Sequence, residues 1–554
     1  MKCILDIETN GLLDEATTVH CIVAYDIDGK KPYVFKGDEC RAKFPSFAKN
    51  VSQFIMHNGL SFDAPVLNKL CGTEIKDNSI LDTLILSQLF NPMRDGGHSL
   101  ASWGERFNFP KGNFDGFDFY SEEMLEYCKQ DVNITYKLYN HLKNEGSKFS
   151  KRSIDLEHRI RKIINDQEDF GFYLNIPYAT TFMATLQDRS GDIYNQLQDV
   201  FPPVVTSGRV HKRSGKPLKD IIEPFNPASR KQISERLIEL GWEPTKKTDK
   251  GNVIVDEGVL STIDLEEAKL ISEYLLLQKR HTQIASWVEA VKTDGRVHGR
   301  VLTLRTVTGR MAHTSPNMAQ VPAVYSPFGK ECRSCWTVEN PETHSLVGTD
   351  ASGLELRGLA HFMDDQRFTD EILTGDVHTA NQKMAGLQNR DQAKTFIYAL
   401  CYGAGAAKIG SIVGGDAKTG ERLISKFMGN MPKFGLLKNK LTEASESGII
   451  RGLDGRLLHI RSPHVSLNTL IQGSGAVICK QWLVQMTDKI KESGVDAKLV
   501  ASVHDEYQFE VANADTEKFG AITNAAIKET EEIHNLKCPL DSEFKVGKNW
   551  SETH

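Results

Sequence analysis

The segment Leu499-Val-Ala-Ser-Val-His-Asp-Glu-Tyr-Gln-Phe-Glu-Val511 contains two short apolar runs on either side of a polar centre. Apolar runs of this length, bounded by polar residues, predict buried strands over Leu499–Val503 and Tyr507–Val511 that are joined by a hairpin. At a hairpin tip, a carboxylate beside two buried strands escapes the desolvation cost of burial. The segment therefore predicts that Asp505 is presented at the edge of a sheet.

A second apolar run, Leu346–Thr349, ends in Asp350 and precedes the sequence Ala-Ser-Gly-Leu-Glu-Leu-Arg. If the strands share a sheet, Asp350 and Asp505 lie at the same edge, where carboxylates bind Mg²⁺ through oxygen ligands. Either segment alone is better explained by an ordinary polar turn. Together they are interpreted as a two-metal site.

A helix is predicted between the two acids, over 390–403. Arg390, Lys394, Tyr398 and Tyr402 recur every four residues, so they form a stripe that drifts by only about 40° per step. Two cations followed by two aromatic rings suit a nucleoside triphosphate, because the charges bind phosphates and the rings pack on sugar and base. The alternative is a helix with one end in solvent and the other in the core.

The N-terminal sequence Asp6-Ile7-Glu8 places two carboxylates on one face of a strand, because side chains alternate with period two. Their charges repel unless a cation such as Mg²⁺ lies between them. Taken alone, the pair fits a strand end that faces water. Two later segments favour a metal site: Asp63 follows a turn at the start of a helix, and Tyr127 and Asp131 share a helix face.

These three segments, 6–10 (DIETN), 58–63 (NGLSFD) and 127–131 (YCKQD), resemble the motifs of the DEDDy proofreading exonucleases. The resemblance extends from residue 1 to about 145. It implies an RNase H-like domain that hydrolyses DNA from the 3′ end with two metal ions. The implied metal ligands are Asp6, Glu8, Asp63 and Asp131, and Tyr127 is expected to orient the attacking water.

The segments 350–357 (DASGLELR), 390–405 (RDQAKTFIYALCYGAG) and 503–509 (VHDEYQF) resemble motifs A, B and C of the family A DNA polymerases. The similarity to the polymerases of lytic short-tailed phages covers essentially everything from about residue 150 onward. It implies an α/β fold in which the exonuclease domain precedes a right-hand polymerase of thumb, palm and fingers. The implied activity is template-dependent DNA synthesis with 3′–5′ proofreading, in phage DNA replication.

The resemblance also implies roles for individual polymerase residues. Asp350 and Asp505 are expected to bind two Mg²⁺ ions, or Mn²⁺ in their place, with the Ala351 carbonyl as a further ligand. Glu355, packed with Tyr398, is expected to exclude a ribose 2′-hydroxyl. The full set of expected nucleotide-binding residues is Arg390, Lys394, Tyr398, Tyr402, Glu355 and His378. The residues expected at the primer end or in the minor groove are Arg310, Asn317, Gln320, Gln472 and His504.

The 554-residue chain is long for one hydrophobic core, so several folding units are expected. The Gly-Ser-Lys stretch Glu145–Lys151 predicts the first boundary. The expected units are the exonuclease (1–145), the thumb and connecting helices (146–294), a first palm segment (295–362), the fingers (363–464) and a second palm segment (465–554). Further predicted elements are strands at Cys3–Ile7 and His20–Tyr25 and helices at Glu122–Leu142, Ile154–Asp169 and Asp264–Lys292.

Residues Phe201–Phe225, within a stretch rich in Pro, Gly and Lys, predict an exposed loop in the thumb. The best-known phage polymerase of this kind recruits thioredoxin through a long basic loop at this point. The stretch here is much shorter, and its basic group His211–Lys216 offers little apolar surface to a folded partner. The expected partners are primer–template DNA and deoxynucleoside triphosphates, with a replisome helicase–primase as a further candidate and without thioredoxin.

Composition excludes several classes of protein. With 40% hydrophobic and 25% charged residues, the chain is neither disordered nor fibrous. It has no apolar run of about 18 residues and no signal-peptide pattern, so we expect no membrane association and a location in the host-cell cytoplasm. Ten scattered cysteines fit a reducing compartment, with Cys332 and Cys335 as free thiols. The net charge of −6 argues against a simple DNA-coating protein, although an enzyme with acidic metal sites remains compatible.

Three alternatives to a DNA polymerase fit the sequence less well. The C-terminal carboxylates and the Arg/Lys/Tyr stripe argue against a nuclease whose C-terminal half only holds DNA. Glu355 and the exonuclease motifs argue against a single-subunit RNA polymerase. The acidic clusters argue against a non-enzymatic clamp, which needs no metal sites.

Overall fold

A computed structural model describes residues 1–208, 211, 213–217 and 219–554. The N-terminal region is a five-stranded sheet in the order β3-β2-β1-β4-β5, with helices packed on it. Strand β1 pairs antiparallel with β2 and parallel with β4. The predicted strands and the predicted long helix of this region are confirmed. Its elements are β1 (Lys2–Thr9), β2 (Val19–Asp26), β3 (Lys31–Lys36), α1 (Glu39–Ala42), α2 (Phe44–Ala48), β4 (Gln53–Met56), α3 (Asp63–Cys71), β5 (Ile80–Asp82), α4 (Thr83–Phe90), α5 (Leu100–Arg106) and α6 (Glu122–Glu145).

A helical section follows, in which two long helices, α8 and α11, pack along each other. The helices predicted at 154–169 and 264–292 are confirmed as α7 and α11. The elements are α7 (Lys151–Phe170), β6 (Phe172–Leu174), α8 (Ile176–Val200), β7 (Val204–Thr206), β8 (Ile221–Glu223), α9 (Arg230–Glu239), α10 (Glu257–Leu260) and α11 (Glu266–Glu289).

The described residues of the stretch predicted as an exposed loop are largely exposed between buried Phe201 and Phe225, but the stretch contains the antiparallel hairpin β7–β8. The loop prediction missed this hairpin because the Pro, Gly and Lys residues around it hide two β-branched runs, Val204-Val205-Thr206 and Ile221-Ile222. Within the basic group of this stretch, Lys212 lies outside the described residues.

The C-terminal region is organised around a four-stranded antiparallel sheet in the order β16-β17-β13-β18. Strands β16 and β17 correspond to the two strands predicted from the apolar runs Leu499–Val503 and Tyr507–Val511. The elements are β9 (Arg296–Val297), β10 (Arg300–Leu302), β11 (Ala312–Thr314), α12 (Gly329–Ser334), β12 (Trp336–Thr337), β13 (His344–Ala351), α13 (Leu354–Met363), α14 (Gln366–Leu373), α15 (Val377–Ala385), α16 (Arg390–Cys401), α17 (Ala406–Ser411), α18 (Ala417–Asn430), α19 (Pro432–Ala444), β14 (Ile449–Arg451), β15 (Leu457–His459), α20 (Ser466–Ser493), β16 (Ala497–Val503), β17 (Glu506–Ala512), α21 (Thr516–His534) and β18 (Ser542–Gly547).

Helix α20 is buried on nearly all sides over residues 473–486, where it packs mainly against α21, α7 and α13. Its buried Lys480 is paired with Glu157 of α7 at 2.7 Å, and Arg456 binds the other oxygen of Glu157 at 2.8 Å. Buried charges are tolerated only in such pairs, so this network ties α7 to the C-terminal region.

The cysteines are buried free thiols, as predicted for Cys332 and Cys335. Among the described residues, no helix combines the length and the apolar character needed to cross a membrane.

Candidate active sites

The first site lies at the predicted hairpin tip in the C-terminal sheet. Strand β16 ends at Val503 and β17 begins at Glu506, so His504 and Asp505 form the turn. His504 adopts the left-handed conformation that a two-residue hairpin requires, with φ of +58°. Asp350 pairs in register with Glu506. The structure therefore brings Asp350 and Asp505 together at neighbouring strand ends.

The backbone links the two acids directly, because the amide of Ala351 donates to the carbonyl of Asp505 at 3.3 Å. Partial burial and the charges of Asp505 and Glu506 raise the pKa of Asp350 to about 7. A nearby cation stabilises the ionised form of two adjacent carboxyl groups, which otherwise repel each other. Hard divalent ions prefer such oxygen ligands. The donor set therefore fits a divalent metal ion.

The acid that follows Asp505, Glu506, is buried and contacts several side chains. Its carboxylate accepts hydrogen bonds from Gln508 (2.6 Å) and Trp550, and it is paired with His554 at 2.7 Å and Arg333 at 3.5 Å. Burial acts to raise the pKa of Glu506, but His554, Arg333 and Trp550 lower it below its usual value. Sequence reasoning missed these partners, because Arg333 and His554 come from segments without quoted motifs and the motif that contains Gln508 does not show that its side chain contacts Glu506.

Helix α16 presents the predicted stripe beside this site. Arg390 and Lys394 are exposed at its beginning, and the rings of Tyr398 and Tyr402 are 6.2 Å apart at its end. Arg390 is paired through Nε with Asp376 at 2.7 Å, a partner that sequence reasoning did not find.

Another predicted nucleotide-binding residue, His378, lies on α15 with its ring 6.2 Å from that of Tyr398. Its Nδ1 is buried and has no partner in the portion of the chain that the structure describes. A buried nitrogen of this kind is available to a ligand.

Glu355 connects the first turn of α13 to the stripe. Tyr402 donates its hydroxyl to Glu355 at 2.6 Å, and Arg310 is paired with the same carboxylate at 2.8 Å. The hydrogen bond therefore comes from Tyr402, whereas the sequence-based expectation emphasised packing with Tyr398. Partial burial and this hydrogen bond raise the pKa of Tyr402 above its usual value.

The predicted DNA contacts are distributed over two cavities. Arg310 and His504 line a small one next to Asp505. Asn317 and Gln320 line a groove of about 660 Å³. Its other wall is a polar face of α11, formed by Gln278, Lys279, Thr282, Gln283 and Ser286. Sequence reasoning assigned no function to this face. The spacing of four residues along that face is the signal that would have found it. Gln472 lies half-buried on α20, outside both linings.

The second site lies on the N-terminal sheet. Asp6 and Glu8 project from β1, α3 begins at Asp63 as predicted, and Asp131 comes from α6. Burial and repulsion between the acids raise the pKa of Glu8 to about 8 and that of Asp63 to about 7, and they raise that of Asp6 as well. Burial also raises the pKa of Asp131, although Lys111 acts in the opposite direction. Oδ1 of Asp131 is buried without a partner among the described residues. These features fit divalent cations.

Two neighbours of this cluster were missed from the sequence. The Asp82 carboxylate accepts from the amides of Asn58 at 2.9 Å and Leu60 at 3.2 Å, which fixes the turn in front of Asp63. Lys111 donates to the Asp131 carboxylate. Burial acts to lower the pKa of Lys111, but the carboxylate raises it above its usual value.

Helix α7, which follows the N-terminal region in the chain, supports the same turn. Asn165 donates to the carbonyl of Leu60 at 2.8 Å and accepts from Ser61 at 3.1 Å. The amide of Asp82 donates to Nε2 of His158 at 2.9 Å. The second site is therefore anchored on the connecting helix.

A sheet edge with paired acids, a cationic and aromatic helix and a separate four-carboxylate site fit the polymerase and the nuclease that the sequence motifs predict. The profile of DNA polymerase family A matches residues 207–552, and that of the RNase_H superfamily matches residues 3–101. The chain belongs to DNA polymerase family A. It is a DNA-directed DNA polymerase with an RNase H-like exonuclease domain, which excludes the three alternatives above.

Known polymerases resemble the chain over its whole length. The DNA-directed DNA polymerases of Enterobacteria phage T3 and Escherichia phage T7 are each 32% identical to it, over 99% of this chain and 99% of theirs. These alignments span 701 and 704 positions against 554 residues here, so the phage relatives contain segments that this chain lacks. The solved POL domain of Pol1 from M. smegmatis, in complex with DNA primer-template and dNTP, has the same fold, with a TM-score of 0.81 at 17% identity over 99% of this chain and 95% of that one.

Proposed function

We propose that DNA synthesis occurs at the edge of the C-terminal sheet, between Asp350 and Asp505. The observation that carries this proposal is the adjacency of the two acids at neighbouring strand ends, where the Ala351 amide donates to the Asp505 carbonyl. Together with the Ala351 carbonyl, these acids would hold two Mg²⁺ ions, or Mn²⁺ in their place. Bound there, the ions supply Lewis acidity that activates the primer 3′-hydroxyl and neutralises the leaving pyrophosphate.

The incoming deoxynucleoside triphosphate binds along α16. Arg390 and Lys394 bind the phosphates and stabilise charge on the leaving group, for which Arg390 exchanges Asp376 for phosphate oxygens. Tyr398, with His378 beside it, packs on the sugar. Tyr402 closes against the templating base.

Glu355 selects the sugar. Its carboxylate is fixed by Tyr402 and Arg310, so it cannot turn aside without breaking two contacts. A ribose 2′-hydroxyl would meet this fixed side chain, whereas a deoxyribose would not. The enzyme therefore prefers deoxynucleotides.

The N-terminal site removes mispaired primer ends. Asp6, Glu8, Asp63 and Asp131 would hold two divalent ions, and Tyr127 orients the water that attacks the terminal phosphodiester. The separation of this site from the polymerase acids requires the primer end to move between them.

Primer–template DNA occupies the groove between α11 and the segment 316–320. Arg310 and His504 contact the primer end, and Asn317 and Gln320 contact the minor groove. Gln472 is a further contact from α20.

The domain limits that fit these roles are exonuclease 1–145, thumb and connecting helices 146–294, palm 295–362 and 465–554, and fingers 363–464. The short hairpin β7–β8 and the greater length of the phage relatives support the absence of a thioredoxin-binding loop from this chain. We infer a polymerase of phage DNA replication that works in the host-cell cytoplasm without thioredoxin, with a helicase–primase as a candidate partner.

Primer extension with the four deoxynucleotides, repeated with ribonucleotides, tests this function. We expect extension that depends on Mg²⁺ and template, with strong preference for deoxynucleotides. Glu355→Ala should reduce that preference at least about tenfold, since a fixed clash that costs over 1.4 kcal/mol is removed. Equal use of both sugars by the unaltered enzyme would contradict the role of Glu355.

A further inference from the structure

A positively charged side chain from outside the sequence motifs, that of Lys111, contacts one of the acids of the exonuclease site. Lys111, in the segment between α5 and α6, donates to Oδ2 of Asp131 and lies 4.7 Å from the centre of the Tyr127 ring. The second oxygen of Asp131, Oδ1, has no partner among the described residues. Lys111 thus leaves one oxygen of this carboxylate free for an ion.

The position of Lys111 is built into the fold. Gln130 of α6 donates to the carbonyl of Pro110 at 3.0 Å, which fixes the backbone next to it. On the other side, a Cβ atom at Gly104 would come within 2.9 Å of the Lys111 amide nitrogen. Only glycine lets the segment pack this closely on α5, so the lysine is held in place from two helices.

The surroundings connect Lys111 with solvent as well as with the acids. Its side chain is 24% exposed, whereas that of Asp131 is 3% exposed. Together with Tyr127 and Phe114, Lys111 lines an open cavity of about 390 Å³. The lysine therefore lies where the cavity meets the carboxylates, and it contacts both the acid and the tyrosine of α6.

We propose that Lys111 is a positioning residue of the exonuclease, which holds Asp131 and Tyr127 in the geometry that binds the metal ion and orients the attacking water. Without the ammonium group, the Asp131 carboxylate would turn away from Asp6, Glu8 and Asp63, which repel it. The partners that orient metal ligands commonly matter nearly as much as the ligands. This inference rests on the exonuclease residues proposed above.

The test measures single-turnover hydrolysis of a single-stranded oligonucleotide by the full-length enzyme as a function of Mn²⁺, and Mn²⁺ binding itself by electron paramagnetic resonance. Lys111→Ala should lower the maximal rate by about 10- to 100-fold and weaken Mn²⁺ binding, with unchanged affinity for the oligonucleotide. Lys111→Arg should restore most of both. The matched control is Lys129→Ala on the exposed face of α6, where the lysine is paired only with Glu126 among the described residues.

A wild-type rate in Lys111→Ala, or tighter Mn²⁺ binding, would overturn the proposal, because the ammonium would then only occupy the place of an ion. If Lys111→Ala also lost primer extension, the loss of hydrolysis would reflect misfolding. Lys111→Arg is then the deciding variant, and absence of hydrolysis in a Lys111→Arg enzyme that still extends primers would overturn the proposal. The double variant Asp6→Ala with Glu8→Ala tests the exonuclease site itself, separately from the role of Lys111. Persistent hydrolysis in that double variant refutes the exonuclease site itself.

Discussion

The buried ion network between α7 and α20 allows a quantitative prediction for Lys480→Ala. Lys480 is 1% exposed and donates to Glu157 at 2.7 Å and to the carbonyl of Thr303 at 2.8 Å. The substitution leaves Glu157, which is fully buried, with Arg456 as its remaining ionic partner among the described residues. Removing one member of a buried pair costs about 3–5 kcal/mol, because the other charge stays desolvated.

Urea unfolding followed by tryptophan fluorescence measures this cost, since buried Trp482 lies two residues along the same helix. The matched control is Lys489→Ala, also on α20. Lys489 is paired with Glu529 at 2.7 Å, and the side chains of the two residues are 30% and 39% exposed, respectively. An exposed pair contributes at most about 1 kcal/mol, so the control should barely shift the midpoint. Equal shifts for both variants would refute the view that the network holds α7 on the polymerase core.

Three further predictions concern activity and pH. Glu8, with a pKa of about 8, and Asp63, with a pKa of about 7, bind protons in the folded state that they lose on unfolding, so the metal-free protein should become less stable as pH rises towards 8. Thermal melts should show this trend, and Mg²⁺ should reverse it; a metal-free protein that gains stability over this range would contradict the assignment. Tyr398→Phe should weaken termination by dideoxynucleotides by about tenfold, because the phenol hydroxyl can replace the hydrogen bond of the missing 3′-hydroxyl; equal termination in a sequencing-type assay would exclude that role. On a long primed template, reduced thioredoxin should leave product length unchanged, and a several-fold lengthening would show that a docking surface exists despite the short hairpin.

The sequence predicted those features that depend on local patterns. The alternation of side chains along a strand predicted that Asp6 and Glu8 share one face. The turn before Asp63 predicted the helix that begins there. The hairpin tip at Asp505 followed from two apolar runs around a polar centre. Each of these features is decided within about ten residues, where the side-chain period determines which face is buried.

Features that depend on contacts between distant segments could not be predicted in this way. Lys111 and Asp82 reach the exonuclease acids from segments without a recognisable motif, and Arg333 reaches Glu506 across the sheet. The hydrogen bond from Tyr402 to Glu355 depends on how α16 lies against α13. Such pairings are set by packing between elements, for which the sequence carries no local signal.

The polymerase and exonuclease sites of the chain are expected to work independently of each other. The most direct test measures primer extension and 3′–5′ hydrolysis on the same preparations of Asp505→Ala and of Asp6→Ala with Glu8→Ala. Because the acids lie on different sheets, Asp505→Ala should abolish extension and retain hydrolysis, and the double variant should do the reverse. Loss of both activities in either folded variant would contradict the two-site assignment.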